Sequence, residues 1–172
     1  TERVHNFSAG PCTLPLSVLE EGQAEFVDYH GAGMSLIEMS HRGKHFVAVH
    51  EEAIDLVRSV YGVPDEFDVL FLQGGATLQF AMVPMNLLKS GEKGAYVNSG
   101  TWAKGAIADA QHYGDVYTAW DGTDCNFTRM PNTGEIDIQS GTRYLHLTSN
   151  ETIGGVRFAD WPKVDVPLIG DM

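Results

Sequence analysis

The sequence predicts an α/β protein with a mostly parallel sheet and helices on both faces. Two patterns point to this class. Short, continuous apolar runs, typical of strands buried on both faces, alternate with longer stretches of helical periodicity. Turn signals separate these segments, and the chain contains 19 glycines, which predicts many tight turns. Strands that alternate with helices are joined by right-handed crossovers, so their carboxyl ends meet at one edge of the sheet.

Two helices are predicted before the sheet. Residues 15–29 carry apolar side chains at steps of three and four, and residues 44–61 show a stronger apolar stripe with acidic side chains beside it. Gly62 follows the second stripe and predicts its end. We expect residues 1–40 to form an N-terminal arm and helix. Residues 41–172 are expected to form the first part of a larger α/β domain.

Five strands are predicted after these helices. Further helices are expected to begin after Thr77 and at Trp102, and the polar residues 121–140 carry turn signals that predict little regular structure. The strands are expected at residues 68–72, 95–97, 115–120, 144–147 and 166–170.

Composition excludes several functional classes. The net charge of −12 repels phosphate backbones and anionic lipid, so neither nucleic acid nor a membrane is an expected partner. No apolar run approaches the roughly 20 residues of a membrane span, and the first residues lack a signal-peptide pattern. We therefore expect a cytoplasmic protein. Cys12 and Cys125 are too few for a disulfide framework or a zinc cluster, and no metal site is expected.

The ends of the predicted strands hold the candidate site residues, because ligands of such sheets bind there. The glycine turn that includes Gly75, Ala76 and Thr77 enters a helix and is either an anion site or an ordinary tight turn. Trp102 opens another helix with a flat ring that would stack on a ligand or pack on a loop. Asp171 ends an apolar strand, where its carboxylate would either need a cationic partner or cap a following helix.

Thr152 adds a hydroxyl at a fourth strand end. Together these groups suit a flat, phosphorylated, basic heterocycle, and pyridoxal 5'-phosphate has all three properties. Elsewhere, Arg42 precedes a helix in a Ser-His-Arg-Gly turn. There it would grip a carboxylate or phosphate, or simply be a solvated charge.

The ordered motifs resemble one family along essentially the whole chain. They are Asn-Phe-Ser-Ala-Gly-Pro at 6–11, Met-Ser-His-Arg-Gly at 39–43, Phe-Leu-Gln-Gly-Gly-Ala-Thr-Leu-Gln-Phe at 71–80, Asn-Ser-Gly-Thr-Trp at 98–102 and Asn-Glu-Thr-Ile at 150–153. The set is similar to the phosphoserine aminotransferases, fold-type I, class-V pyridoxal-phosphate enzymes that form homodimers. They exchange an amino group between glutamate and 3-phosphohydroxypyruvate in serine biosynthesis, giving phosphoserine and 2-oxoglutarate. In some bacteria they also act in pyridoxine synthesis.

The resemblance implies roles for individual residues. Ala76 and Thr77, beside Gly75, match positions at the cofactor phosphate, and Trp102 matches a ring stacked on the pyridine. Thr152 matches a contact to the ring hydroxyl. Asp171 matches the partner of the ring nitrogen.

Substrate contacts are also implied. His41 and Arg42 resemble contacts to the substrate phosphate and carboxylate, offered across the dimer interface to the partner's site. Residues 8–10, beginning at Ser8, resemble a segment that lies over the substrate.

The family's Schiff-base lysine and small C-terminal domain have no counterpart among these residues, so we expect an incomplete piece that is inactive alone. Two alternatives stay open. One is another class-V pyridoxal-phosphate enzyme, such as an alanine–glyoxylate aminotransferase or a cysteine desulfurase. The other is a non-catalytic anion-binding α/β module that is complete at this length.

Overall fold

The structure, a computed structural model, describes residues 3–8, 10 and 12–172 and divides the chain into two compact units, Thr1–Phe71 and Leu72–Met172. The expected boundary between residues 40 and 41 lies inside the first unit and stays a prediction about the intact protein. In the described ranges, no helix is both long and apolar enough to cross a membrane.

The first unit contains helices α1 (Leu16–Glu25) and α2 (Lys44–Tyr61). The predicted bounds of α2 are confirmed. Gly62 ends it in the left-handed region at φ 62°, and its N–H donates to the carbonyl of Arg58. Helix α1 is shorter than the predicted residues 15–29, because Tyr29 belongs to a separate short 3₁₀ helix, Tyr29–Gly31.

The strand expected over residues 68–72 is wrong. This segment has no ladder partner among the described residues. Its apolar side chains are largely in water, with Leu70 70% and Phe71 53% exposed. An apolar run indicates where a strand would be buried, but a strand also needs a neighbouring strand for its backbone hydrogen bonds.

The second unit contains the sheet. Its elements are α3 (Gly75–Leu87), β1 (Lys93–Asn98), α4 (Thr101–Ala110), β2 (Asp115–Asp121), β3 (Thr142–Thr148), β4 (Asn150–Glu151), β5 (Val156–Arg157) and β6 (Leu168–Asp171). Its strands β1, β2, β3 and β6 lie in the order β2-β1-β3-β6, and every neighbouring pair is parallel. Strands β4 and β5 form a separate antiparallel hairpin. The α/β class and four of the five predicted strands are confirmed.

The two faces of the sheet are covered differently. Helices α3 and α4 pack on the face that carries Tyr96 and Tyr144, whose hydroxyls lie 2.7 Å apart. The opposite face carries Val97 and Leu145 and is covered by irregular segments before β3 and β6. Within the described second unit, both α-helices therefore lie on one face of the sheet, whereas the sequence predicted helices on both.

Candidate functional site

Four parallel strands end at one edge of the second unit, which is the edge that the sequence predicted as the site. Residue pairing aligns Asn98 of β1 with Asp121 of β2, and Thr148 of β3 with Asp171 of β6. Each of these strand ends carries a polar side chain. Helix α4 begins three residues after β1 ends, so its amino terminus points to the same edge.

The turn before α3 depends on glycine. Gly74 and Gly75 both lie in the left-handed region, at φ 96° and 63°. A Cβ at residue 74 would collide with the side chain of Leu78. The helix therefore starts abruptly, and its capping residue contributes no side-chain hydrogen bond. Gly75, Ala76 and Thr77 form the exposed first turn, where backbone N–H groups and the helix dipole favour an anion.

One cavity joins this turn to the end of β6. It has a volume of about 340 Å³, and its lining includes Ala76, Gln79, His146 and Asp171. Two residues predicted from separate strand ends, Ala76 and Asp171, therefore face one space. The remaining residues of its lining are Phe80, Val83, Ile169, Gly170 and Met172.

Asp171 carries a carboxylate in an unfavourable setting. Partial burial raises the pKa of Asp171 above its usual value, and the negative charge of Glu151 raises it further. Neither recorded ion pair in the described part of the chain includes Asp171. A cationic group placed against this carboxylate would offset both effects.

Three buried polar atoms near this edge have no hydrogen-bond partner within the described structure. They are Oδ1 of Asn98, Nδ1 of His146 and Oγ1 of Thr148. His146 stacks on Tyr96 with ring centroids 4.8 Å apart, and burial lowers its pKa to about 4, so its imidazole is neutral at pH 7. Buried polar atoms normally have partners. These three therefore indicate that the edge accommodates a polar ligand or ordered water.

Glu151 links Trp102 to Thr152, because it accepts a hydrogen bond from the backbone of Trp102 and directly precedes Thr152 in the chain. Trp102 is the second residue of α4 and is 41% exposed. Thr152 is exposed in the turn after β4. Glu151 is 1% exposed. Its carboxylate accepts hydrogen bonds from the backbone N–H groups of Trp102 and Ala103, both at 3.0 Å.

The three remaining predicted residues belong to the first unit. The backbone N–H of Ser8 donates to Oδ1 of Asn6 at 2.9 Å; Ala9, in the same predicted segment, lies outside the described residues. His41 and Arg42 are exposed in a turn before α2, and the N–H of Arg42 donates to Oγ of Ser40 at 3.3 Å.

Sequence reasoning missed Glu151, His146 and Thr148. A signal existed for the last two, because residues 144, 146 and 148 alternate onto one face of a buried strand, and polar side chains there indicate a polar interior. Glu151 gave no such signal. The helix end that it caps lies about 50 positions earlier in the chain, and sequence spacing does not reveal that contact.

Comparison with known proteins gives consistent matches. The family model "Aminotransferase class-V" matches residues 4–165. A phosphoserine aminotransferase of Niallia circulans is 50% identical over 173 residues, covering 100% of this chain and 48% of that protein. The chain thus spans about half the length of the curated relatives it matches.

The solved structures similar to this chain include phosphoserine aminotransferases as well. A phosphoserine aminotransferase from Bacillus circulans subsp. alkalophilus superposes with a TM-score of 0.95 at 51% identity, over 100% of this chain and 48% of that one. A PLP-bound phosphoserine aminotransferase from Trichomonas vaginalis gives a TM-score of 0.89 at 35% identity, over 98% of this chain and 47% of that one.

Proposed function

Since this chain belongs to the class-V aminotransferase family, we propose that the intact protein is a pyridoxal-phosphate-dependent phosphoserine aminotransferase. It transfers an amino group between glutamate and 3-phosphohydroxypyruvate, giving phosphoserine and 2-oxoglutarate in serine biosynthesis. Curated relatives of that name match across 99% or more of this chain, which supports the activity. The observation that carries the proposal is that Ala76 and Asp171 line the same cavity.

The donor set fits pyridoxal phosphate. The glycine-led first turn of α3 lacks a side-chain cap from its capping residue and suits a phosphate. Asp171 has a raised pKa and no ion-pair partner recorded among the described residues, so its carboxylate suits a protonated ring nitrogen. The unpaired atoms of His146 and Thr148 lie on the same strand and provide further polar contacts.

Each residue then has a defined task. The N–H groups of Ala76 and Thr77 bind the phosphate, the Trp102 ring stacks on the pyridine, and the Thr152 hydroxyl contacts the ring oxygen. Asp171 holds a proton at the ring nitrogen, because a carboxylate beside that nitrogen favours its charged form. Pyridoxal phosphate, when bound, supplies an electron sink for the charge left at the substrate's α-carbon.

The lysine that bonds covalently to the cofactor is assigned to a part of the intact protein outside this chain. Within the chain, Lys104 lies with Nζ 4.2 Å from the centre of the Phe127 ring. The Nζ of Lys93 donates to Gln139 at 3.1 Å. None of the chain's lysines is among the residues that line the Asp171 cavity. Besides Lys93 and Lys104, the chain's lysines are Lys44, Lys89 and Lys163.

The substrate contacts and the assembly are part of the same proposal. His41 and Arg42 are exposed, and neither forms an ion pair recorded within the described ranges. Both are therefore available to bind substrate phosphate and carboxylate in the partner subunit of a homodimer, and Ser8 lies over the substrate. Helix α2 has no buried residue, and its Val60 is 74% exposed, which supports an interface. The protein acts in the cytoplasm.

An assay of the full-length protein tests the activity. We expect glutamate to form from phosphoserine and 2-oxoglutarate. Asp171→Asn should lower turnover by about 100-fold or more, the scale seen when one electrostatic contact to developing charge is lost. The matched change Asp165→Asn alters an exposed acid just before β6 and should leave turnover unchanged. Absence of turnover by the wild-type protein would reject the proposed substrate.

A further inference from the structure

Glu151 is a buried acid that the proposed function leaves without a task. It is 1% exposed and ends β4, just beyond the carboxyl end of β3. Burying a carboxylate is costly unless its oxygens accept hydrogen bonds. Three donors meet that need: Oε2 accepts from the N–H of Trp102 at 3.0 Å, and Oε1 accepts from the N–H of Ala103 at 3.0 Å and from Oγ of Ser99 at 3.2 Å.

These contacts make Glu151 the cap of α4. Two of the donors are backbone groups in the first turn of the helix, and Gly100, its capping residue, has no side chain to fulfil the role. The carboxylate also needs glycine at that position. A Cβ at residue 100 would lie 2.7 Å from the carboxyl carbon of Glu151, so any larger residue would displace the cap.

Because of Glu151, the amino termini of α3 and α4 at this edge differ in charge. The amino terminus of α4 already holds an anion, whereas the capping residue of α3 provides no side-chain hydrogen bond. A ligand phosphate is therefore favoured at α3 and repelled at α4. Glu151 also lies close enough to Asp171 for its charge to act on that carboxylate.

We propose that Glu151 is a positioning residue for the cofactor site, because its carboxylate fixes the first turn of α4 and with it the Trp102 ring. This inference rests on the proposed function, since it concerns a ring that stacks on pyridoxal phosphate. Glu151 itself acts through Trp102. Glutamine at residue 151 would keep the size of the side chain but would lose the charge and present an N–H₂ group to backbone N–H donors.

A double-mutant cycle on the full-length apoenzyme tests this role. The probe is pyridoxamine 5'-phosphate, which carries the same ring and phosphate and cannot bond covalently to a lysine through a carbonyl. Fluorescence titration would give its Kd for the wild type, Glu151→Gln, Trp102→Ala and the double variant. We expect Glu151→Gln to raise Kd by about 10-fold in the wild-type background, the effect of 1.4 kcal/mol, and by less than about 2-fold when Trp102 is already alanine.

Equal effects of Glu151→Gln in both backgrounds would overturn the proposal, because a general structural role does not depend on the Trp102 ring. Glu135→Gln is the matched control. Glu135 also caps a short helix, accepting from the N–H of Asn132 at 2.8 Å, but it is exposed and pairs with Arg129. Its substitution should leave Kd within about 2-fold of the wild type.

If Glu151→Gln fails to fold, a milder variant tests the positioning role of Glu151. Ser99→Ala removes one donor to the same carboxylate and leaves both backbone contacts. It should raise Kd by about 2- to 3-fold, and this effect should disappear in the Trp102→Ala background; persistence there would overturn the proposal. A wild-type protein that binds the probe but does not convert phosphoserine would reject the proposed substrate and leave the cycle valid. No binding by the wild type would reject both.

Discussion

The side chain of His146 belongs to both the core of the sheet and the candidate site. Its ring stacks on Tyr96, whose hydroxyl lies 2.7 Å from that of Tyr144. His146 also lines the cavity, and its Nδ1 has no hydrogen-bond partner in the described structure. Burial lowers the pKa of His146 to about 4. The native protein therefore keeps this imidazole neutral at pH values where an unfolded chain would protonate it.

This shift predicts a loss of stability in mild acid. Below about pH 6.5 the His146 imidazole is protonated in the unfolded state, whereas in the native state it stays neutral down to about pH 4. The free energy of unfolding therefore falls across that window by up to about 3 kcal/mol. His146→Phe keeps a ring against Tyr96 and removes the titration. Urea unfolding of the full-length apoprotein at pH 7 and pH 4.5 should show a smaller loss for the variant.

Asp171 also contributes to the pH dependence of stability in this comparison. Its raised pKa acts in the opposite direction, stabilising the native state as pH falls, but it is present in both proteins and largely cancels from their difference. An equal loss in the wild type and in His146→Phe would contradict the assigned burial of the imidazole.

At the scale of elements, the start of α3 depends on the conformation of Gly74. The residue combines φ 96° with a Leu78 side chain that occupies the place of a Cβ. Gly74→Ala should therefore lower the free energy of unfolding of the full-length apoprotein through two effects, about 1–2 kcal/mol of backbone strain and about 1–3 kcal/mol from the collision. It should also weaken binding of pyridoxamine 5'-phosphate. Urea unfolding and titration measure the two results.

Gly91 provides the matched control. It has a similar φ of 85°, in the turn before β1, and nothing lies within 4 Å of the position that a Cβ would take there. Gly91→Ala should incur the strain alone and leave binding unchanged. If the two variants lose equal stability, the close approach of Leu78 does not define the start of the helix.

The elements that sequence predicted well are those with a local signal. Helix α2 is bounded by Gly43 and Gly62, and its periodicity carries the rest. Residues 68–72 were predicted as a strand from their apolar side chains, yet strand formation depends on a partner strand, which their own composition does not encode. The β4–β5 hairpin has strands of two residues each, too short for any periodicity to predict.

Across the whole molecule, the position of the candidate site followed only in part from topology. Parallel strands end at one edge, so residues as far apart in sequence as Ala76 and Asp171 were predicted to lie together. Both line one cavity, but Ala76 reaches it from the first turn of α3, because the strand expected over residues 68–72 does not form. The contacts that organise the edge were not predictable in this way. The bond from Trp102 to Glu151 joins residues 49 positions apart, and only the folded chain brings them together.

The central claim is that this edge of the second unit holds pyridoxal phosphate, and a crystal structure of the full-length protein with the cofactor tests it most directly. We predict the ring nitrogen within hydrogen-bonding distance of the Asp171 carboxylate, the phosphate against the N–H groups of Ala76 and Thr77, and the Trp102 ring stacked on the pyridine. Cofactor bound elsewhere, or with its ring nitrogen turned away from Asp171, would contradict the account.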